Sequence, residues 1–168
     1  NTQSRTTPCT LKAKAAIDKL TTMSKNITIR KAQTNDFEQV YPLFEQLWPN
    51  KELDKEALKT VFSRGIESPT DELICAMDGS KVVGFCAYAI VNNLWQAGYI
   101  TYMYALVVDE NYRGKGIGNM LLQESIADSK AKGMKRLELD SAFHREKAHE
   151  FYIKAGFEKR AFLFSYPL

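Results

Sequence analysis

Three strand-like runs with very short links occupy residues 72–108, and they constrain the fold more than any other part of the sequence. The runs at 72–77 and 81–91 flank Asp78-Gly79-Ser80, and an Asp-Gly pair accommodates the positive φ of a tight hairpin turn. A third run, at 99–108, follows after a short link. Links of this length cannot cross over to form parallel pairs, so the three runs predict an antiparallel meander.

Strand and helix patterns precede the meander. Ile27, Ile29 and Lys31 alternate with polar residues and predict a short strand. Asn35, with Glu38 three residues later, resembles the capping box of a first helix. The apolar residues of that helix share one face and are Val40, Leu43, Phe44, Leu47 and Trp48. We expect a kink at Pro42. A second helix begins after Asp54 as its N-cap, with an inward face of Leu58, Val61 and Phe62.

A strand, helix, strand, helix pattern follows the meander. The first helix ends near Lys132, with Gly133 as its C-terminal cap. Its apolar residues are Ile117, Leu121, Leu122 and Ile126. Residues 136–140 predict a short strand, which a right-handed crossover makes parallel to the run at 99–108. A last helix ends at Gly156 and carries Ala148, Phe151, Tyr152 and Ala155 on one face. An aromatic-rich strand is predicted at 162–166.

The composition excludes several classes of protein. With 45% hydrophobic and 26% charged residues among 168, the chain has the composition of a soluble globular domain. Its longest nearly apolar stretch, 82–91, is half of the roughly 20 residues that a membrane-spanning helix needs. Residues 1–22 account for the whole net charge of +3, so residues 23–168 are neutral. A neutral body without a basic stripe argues against nucleic-acid binding as the main function.

Residues 1–22 are interpreted as a tail, non-native or upstream, with Met23 as the natural start and 23–168 as a single domain. The alternative is a native helix at 11–20. The three cysteines, Cys9, Cys75 and Cys86, are odd in number and have no regular spacing, so we expect free thiols and a cytoplasmic protein without a metal site. Cys75 and Cys86 lie in strand-like apolar runs, which favours a role in core packing.

The segment most informative about function joins the run at 99–108 to the following helix. Gly114, Gly116 and Gly118 stand at alternate positions, so backbone N–H groups can approach a ligand at a helix N-terminus without obstruction by Cβ atoms. Such a loop can bind phosphate. It is not a Walker A loop, because no Ser or Thr follows Lys115, and its glycines do not have GxGxxG spacing.

Two motifs in this sequence resemble those of the GNAT superfamily of acyl-CoA-dependent N-acyltransferases. The first is Arg113-x-x-Gly116-x-Gly118 after an apolar strand, which resembles the GNAT pyrophosphate loop. The second is Phe151-Tyr152, three spacer residues and Gly156-Phe157. Both occur in order, with a helix and a strand between them, and the resemblance covers about residues 26–168. It implies an α/β fold of the α+β type, with a mixed, mostly antiparallel sheet of six to seven strands, about four helices and a central splayed parallel pair.

The resemblance also implies roles for particular residues. Main chain of Leu106, Val107 and Val108 would pair with the pantetheine arm of acetyl-CoA, and an N–H near Leu106 would polarise the thioester carbonyl. Tyr152 would donate a proton to the departing thiolate. The CoA pyrophosphate would be held by amides of the loop and the first helical turn, which are Arg113, Gly114, Lys115, Gly116, Ile117 and Gly118.

The sequence departs from the family pattern at two places. Arg145 stands where many members have an Asn that contacts the cofactor, so Arg145 and Lys147 either meet a CoA phosphate or form a solvated helix end. The run at 99–108 contains no carboxylate to serve as general base. The candidates for that role are Asp140, His144 and a water-mediated route.

The function implied is acetyl transfer from acetyl-CoA to a primary amine by direct attack, because no Cys or Ser stands beside a His in the motifs to form an acyl-enzyme. The expected partners are a small-molecule or peptide amine and, as a possibility left open, a second copy in a homodimer, with no nucleic acid and no membrane. The alternatives are a non-catalytic acyl-CoA sensor or regulatory module, which would not need Tyr152, and a structural protein, which would need neither motif.

Overall fold

The computed structural model of the protein describes residues 26–168, and these residues form one five-stranded sheet with helices on both faces. The strands, in chain order and in sheet order, are β1 (Ile27–Lys31), β2 (Asp71–Asp78), β3 (Lys81–Asn93), β4 (Gly98–Val108) and β5 (Leu137–Leu139). The helices are α1 (Phe37–Leu47), α2 (Lys55–Glu67), α3 (Ile117–Ala131) and α4 (Glu146–Lys154). Single 3₁₀ turns lie at Thr34–Asp36 and Glu110–Tyr112.

The strand pairing confirms the predicted mixed, mostly antiparallel sheet. β1 to β4 pair antiparallel with their neighbours, and β5 pairs parallel to β4 after the α3 crossover. The β2–β3 hairpin turns at Gly79, whose φ of +59° is a conformation that a glycine adopts without strain. The sheet has five strands in the described residues, rather than the six or seven that were expected.

The core has two layers, one on each face of the sheet. The layer beneath α1 and α2 joins the apolar faces of these helices to β2, β3 and β4, with Phe37, Phe44, Phe62 and Phe85 in edge or tilted ring contacts. The layer beneath α3 and α4 is centred on Ile117, Leu121 and Leu122. Alternate residues of β4 enter the two layers, which holds the strand between them.

The ends of the first two helices differ partly from the expectations. Asp54 caps α2 as predicted, because its carboxylate accepts a hydrogen bond from the Ala57 N–H at 3.0 Å. The capping box before α1 is not formed by Asn35 and Glu38. It lies two residues earlier, where the Asp36 carboxylate accepts from the Gln33 N–H at 2.7 Å. This is because a 3₁₀ turn begins the helical segment before α1.

Two predictions about side chains and strands are wrong. Val61 does not face inward and is 51% exposed. In this part of α2, Leu58 and Phe62 are the side chains that pack against the core. The predicted strand at 162–166 does not form, and its aromatic side chains are exposed. The chain that precedes this segment contacts β5 and the residue before it through side chains, Arg160 with Glu138 and Glu158 with Arg136. β5 has three residues, so its outer edge offers few backbone partners to a further strand.

Cys75 and Cys86 are buried free thiols, which confirms their predicted place in the core. No helix within residues 26–168 is long and apolar enough to cross a membrane. The same residues contain no group of three or more His, Cys, Asp or Glu side chains arranged to hold a metal ion. The predictions for Cys9, for the tail at 1–22 and for a helix at 11–20 fall outside the described residues, and the domain boundary at Met23 stays a prediction.

Candidate active site

A β-bulge in the middle of β4 creates the candidate active site. Met103 pairs with Tyr88 of β3 and Ala105 pairs with Ala87, which leaves Tyr104 as the inserted residue. As a result, two successive side chains lie on the same face of the sheet, Ala105 in the core beneath α1 and α2 and Tyr104 beside the start of β2. The bulge therefore shifts the alternation of β4 by one residue.

The shift also changes which backbone groups face each neighbouring strand. Before the bulge, the Thr101 N–H donates to Arg136 on the β5 side at 2.8 Å. After it, the Asp109 N–H donates to the Val83 carbonyl of β3 at 3.0 Å. By the two-residue period of an antiparallel ladder, Val107 then faces β3, while Leu106 and Val108 direct their N–H and C=O groups to the other side.

On that other side β5 has already diverged from β4. The last parallel pair is Met103 with Leu139, so the outer part of β4, residues 104–108, has no strand beside it on the side away from β3. We call the gap between these residues and the chain that continues from Leu139 the wedge. The wedge is the splay that the family resemblance implied, although the β4–β5 pair lies at one edge of the five-stranded sheet and not at its centre. The backbone of Leu106 lies along the wedge.

The glycine loop lies at the open end of the wedge. Gly114 and Gly116 have φ of +75° and +81°, and a Cβ added at either would meet no atom within 4 Å. Gly116 is also the N-cap of α3 and has no side chain with which to cap the helix. The first-turn N–H groups of α3 therefore face open space at the positive end of the helix dipole, which is an arrangement suited to an anion.

The side chains of Arg113 and Lys115 stabilise the loop itself. The Arg113 Nε donates to the Val108 carbonyl at 3.0 Å, so the guanidinium binds the last free carbonyl of β4. Lys115 donates to the Asn111 carbonyl at 2.8 Å, and its ammonium lies 4.6 Å from the centre of the Tyr112 ring. Both side chains are therefore engaged within the protein, and their part in an anion site stays a prediction.

Sequence reasoning missed Gln46 of α1, which fixes the same loop. Its Oε1 accepts hydrogen bonds from the Glu110 N–H at 2.9 Å and from Arg113 at 3.4 Å. Gln46 is separated from the loop by more than sixty residues and lies on a helix whose apolar face gave the only readable signal. No local pattern could have identified this contact.

The last two residues of the predicted loop, Ile117 and Gly118, join the loop to the core. The Ile117 side chain is buried. A Cβ at Gly118 would stand 3.7 Å from Val108 and 3.8 Å from Phe151, which is ordinary van der Waals contact. The first turn of α3 therefore packs closely against the outer part of β4 and against α4.

Tyr152 of α4 lies half-buried on the α3 side of the sheet. Its ring packs between Phe151 and Phe157, with ring centres 5.3 and 5.6 Å away. Burial raises the pKa of Tyr152 to about 12, the thiol of Cys86 and the carboxylate of Asp140 act in the same direction, and the Arg145 guanidinium opposes them. The hydroxyl therefore keeps its proton at neutral pH, and the role of Tyr152 as an acid stays a prediction.

The three other predicted candidates have different environments. Asp140 follows β5 at the mouth of the wedge, where its carboxylate accepts a hydrogen bond from the Tyr102 hydroxyl of β4. His144 is exposed. One nitrogen of the Arg145 guanidinium donates to the Leu47 carbonyl at the end of α1 at 2.6 Å, and a contact of Arg145 with a CoA phosphate stays a prediction.

An unpaired strand edge that leads to an uncapped, glycine-rich helix start is the architecture of an acyl-CoA-dependent N-acyltransferase, and known proteins agree with this class. Residues 37–157 match the Acetyltransferase (GNAT) family. The aminoalkylphosphonate N-acetyltransferase of Salmonella typhimurium is 31% identical over 83% of this chain and 90% of its own. The chain therefore belongs to the GNAT family of acetyltransferases and is an N-acetyltransferase that uses an acyl-CoA donor.

Solved structures share the fold at lower identity. A transcriptional regulator from Bacillus halodurans C-125 has a TM-score of 0.78 at 23% identity and covers 84% of this chain and 99% of its own. An aminoglycoside N-acetyltransferase in complex with CoA has a TM-score of 0.74 at 18% identity, covering 84% of this chain and 94% of its own. At these identities the likeness extends to the fold alone.

Proposed function

We propose that the protein transfers an acetyl group from acetyl-CoA to the primary amine of a small molecule, by direct attack of the amine on the thioester. The observation that carries the proposal is the unpaired edge of β4 at Leu106 and Val108, which ends at the open loop of Gly114 and Gly116. The aminoalkylphosphonate N-acetyltransferase among the relatives supports a small amine as acceptor. Acetyl-CoA would supply the activated acyl group and the thiolate that leaves.

The loop fits the pyrophosphate of such a donor. A side chain at Gly114 or Gly116 would occupy open space beside the α3 N-terminus, and a left-handed φ disfavours one there in any case. The first N–H groups of α3 would donate to the phosphate oxygens, while the helix dipole favours their negative charge. The Leu106 backbone and the Val108 N–H would align the pantetheine arm as an added strand, since the Val108 carbonyl already accepts from Arg113.

Leu106 would also activate the thioester. Its N–H points into the wedge, and a backbone donor held by a sheet needs no reorganisation as negative charge develops on the carbonyl oxygen. Asp140 would accept the proton of the attacking ammonium, because it lies at the mouth of the same wedge and the Tyr102 hydroxyl fixes its orientation. The exposed side chain of His144 has no comparable position.

Tyr152 would return a proton to the leaving sulfur. Its raised pKa makes the phenol a weak acid, so transfer becomes favourable only as the carbon–sulfur bond breaks and the thiolate gains basicity. The cysteines of the described region do not provide an acyl-enzyme route. Cys75 and Cys86 are buried in the core, and burial raises the pKa of both thiols, Cys75 to about 12.

The donor site can be tested by ligand-induced stabilisation, since acetyl-CoA at a hundredfold excess over its Kd adds roughly 2.7 kcal/mol to a protein that binds it only when folded. Gly116→Val should remove this shift in Tm. Gly133→Val is the matched control, because Gly133 also has a positive φ, of +71°, with open space around it, but caps the far end of α3. Both variants should lose similar stability without ligand, and only the first should lose the shift. An undiminished shift in Gly116→Val would exclude the loop.

Catalysis itself is tested by release of free CoA against a panel of small amines. We expect release that depends on both acetyl-CoA and amine, with an N-acetylated product detected by mass spectrometry. Acetyl-CoA binding without transfer to any amine would instead favour a non-catalytic acyl-CoA-binding module.

A further inference from the structure

An open cleft adjoins the wedge on the face of the sheet that α2 covers. Its volume is about 500 Å³, within the range of small-molecule sites. The last turns of α2, the start of β2 and the side chain of Tyr104 form its walls. The wedge and the glycine loop have no residue in this lining apart from Tyr104, so the cleft is a separate space from the expected donor site.

Tyr104 connects the two spaces. Its backbone is the inserted residue of the β4 bulge, directly after the last β4–β5 pair and two residues before Leu106. At the strand rise of about 3.3 Å per residue, this places it roughly 7 Å along the strand from the amide proposed to polarise the thioester. Its hydroxyl lies in the cleft and donates to Asp71 at 2.9 Å. The Tyr104 side chain therefore extends from the strand that borders the wedge to the cleft at the start of β2.

The charges of the cleft are of both signs and occupy different walls. On the sheet side, the Asp71 carboxylate accepts hydrogen bonds from the hydroxyls of Tyr104 and, at 2.6 Å, Ser68, which orient it. On the helix side, α2 presents Arg64 and Glu67, both exposed. Every ion pair found in residues 26–168 joins other residues, so Arg64 is available to an external anion.

We infer that this cleft binds the acceptor, and that the acceptor is a small molecule with an amine at one end and an anionic group at the other. The ammonium end lies at the Asp71–Tyr104 pair, and the proton that the amine loses on attack passes to Asp140, as in the proposed function. The anion lies at Arg64, whose planar guanidinium suits the oxygens of a phosphonate or carboxylate. The inference rests on the proposed amine transfer and specifies its substrate class.

Equilibrium binding tests this assignment without requiring turnover. The probes are 3-aminopropylphosphonate, 3-aminopropan-1-ol and 1,3-diaminopropane, which share an aminopropyl arm and differ in the charge of the other end. Calorimetry on the full chain with CoA present should give the tightest binding for the phosphonate. Arg64→Gln should weaken phosphonate binding about five- to tenfold and leave the amino alcohol unchanged. Asp71→Asn should weaken both by similar factors.

Lys59→Gln is the matched control, because Lys59 is an exposed cation of the same helix that pairs with Glu38 outside the cleft. It should retain the phosphonate preference. Equal binding of phosphonate and amino alcohol, tighter binding of the diamine, or the same loss in both helix variants would overturn the inference. Acetyl-CoA binding, measured in the same samples, reports on the donor site separately, so failure of the proposed function would be distinguishable from failure of the cleft assignment.

Discussion

The two halves of β4 have similar burial but different hydrogen bonding. Residues 98–103, the inner half, pair with β3, and residues 101–103 also pair with β5 on the other side. The Thr101 hydroxyl adds a buried hydrogen bond to Ser129 at 2.7 Å. Residues 104–108, the outer half, pair with β3 alone, although Ala105 and Val107 are as buried as the inner residues. Apolar packing therefore does not distinguish the inner half from the outer half. They differ in whether the backbone N–H and C=O groups that face away from β3 have a partner strand.

The largest effect is expected at Tyr152, which faces the outer half. Tyr152→Phe keeps the ring between Phe151 and Phe157 and removes the acid, so kcat should fall about 10²- to 10⁴-fold while acetyl-CoA affinity changes little. The control is Tyr99→Phe, which removes an exposed hydroxyl from the inner half and should leave kcat unchanged. Steady-state CoA release with an identified acceptor provides the measurement. A near-normal kcat with rate-limiting chemistry would make Tyr152 a packing residue only.

Two proline variants distinguish an N–H of the outer half that faces the wedge from one that faces β3. Leu106→Pro removes an N–H that points into the wedge, so kcat should fall about 10²- to 10³-fold, as for loss of one oxyanion donor. Val107→Pro removes an N–H that faces β3, so it should lower Tm more than Leu106→Pro does. Thermal denaturation and CoA release on both variants check this. The reverse order of Tm values would mean that the bulge does not shift the alternation as described.

A change far from the wedge should move stability and leave catalysis alone. Asp36, buried beside β1, accepts hydrogen bonds from Arg30 at 2.6 and 2.7 Å, and these hold the pKa of its carboxyl below the usual range. A lowered folded-state pKa stabilises the fold above the unfolded value, about 3.9, and that contribution is lost as pH falls further. Asp36→Asn should cost about 1–3 kcal/mol at pH 7 and flatten the loss of stability in acid.

This prediction is checked by urea denaturation of wild type and Asp36→Asn between pH 3 and 7. The difference in unfolding free energy between the two proteins should shrink toward low pH, with kcat and KM unchanged at pH 7. A difference that is constant across this range would show that the ionised pair is not its source.

The smallest effect is expected for removal of residues 1–22. They contain few large apolar side chains, so a chain that begins at Met23 should match the full chain in Tm and in acetyl-CoA affinity. A drop of several degrees in Tm would show that these residues pack on the domain.

The parts of the fold that depend on local chemistry were predictable from sequence. The Asp78-Gly79 turn, the Asp54 cap and the Gly133 helix end each depend on neighbouring residues, and each occurs where the sequence indicated. The bulge at Tyr104 was not predictable, because an inserted residue is defined by its partner strand and leaves the apolar run of β4 uninterrupted. The C-terminal strand failed for a related reason, since its pattern of aromatic residues cannot show how short an edge β5 offers.

The candidate site also has parts that depend on local sequence, which were predictable, and parts that depend on distant segments, which were not. Glycine spacing revealed Gly114 and Gly116, and both have open space beside them. The contacts of Arg113, Arg145 and Gln46 all join segments that are distant in sequence, so the charge of these arginines was readable but their partners were not.

Hydrogen bonds at the end of α1 link this helix to two other segments of the molecule. Gln46 holds the start of the donor loop, and the adjoining Leu47 carbonyl holds Arg145 at the start of α4. One turn of helix on one side of the sheet is thus linked to both segments that flank the wedge. A displacement of α1 by 1 Å would stretch these bonds beyond hydrogen-bonding range unless the loop and α4 moved with it. The positions of the glycine loop and of the start of α4 are therefore coupled to each other through α1.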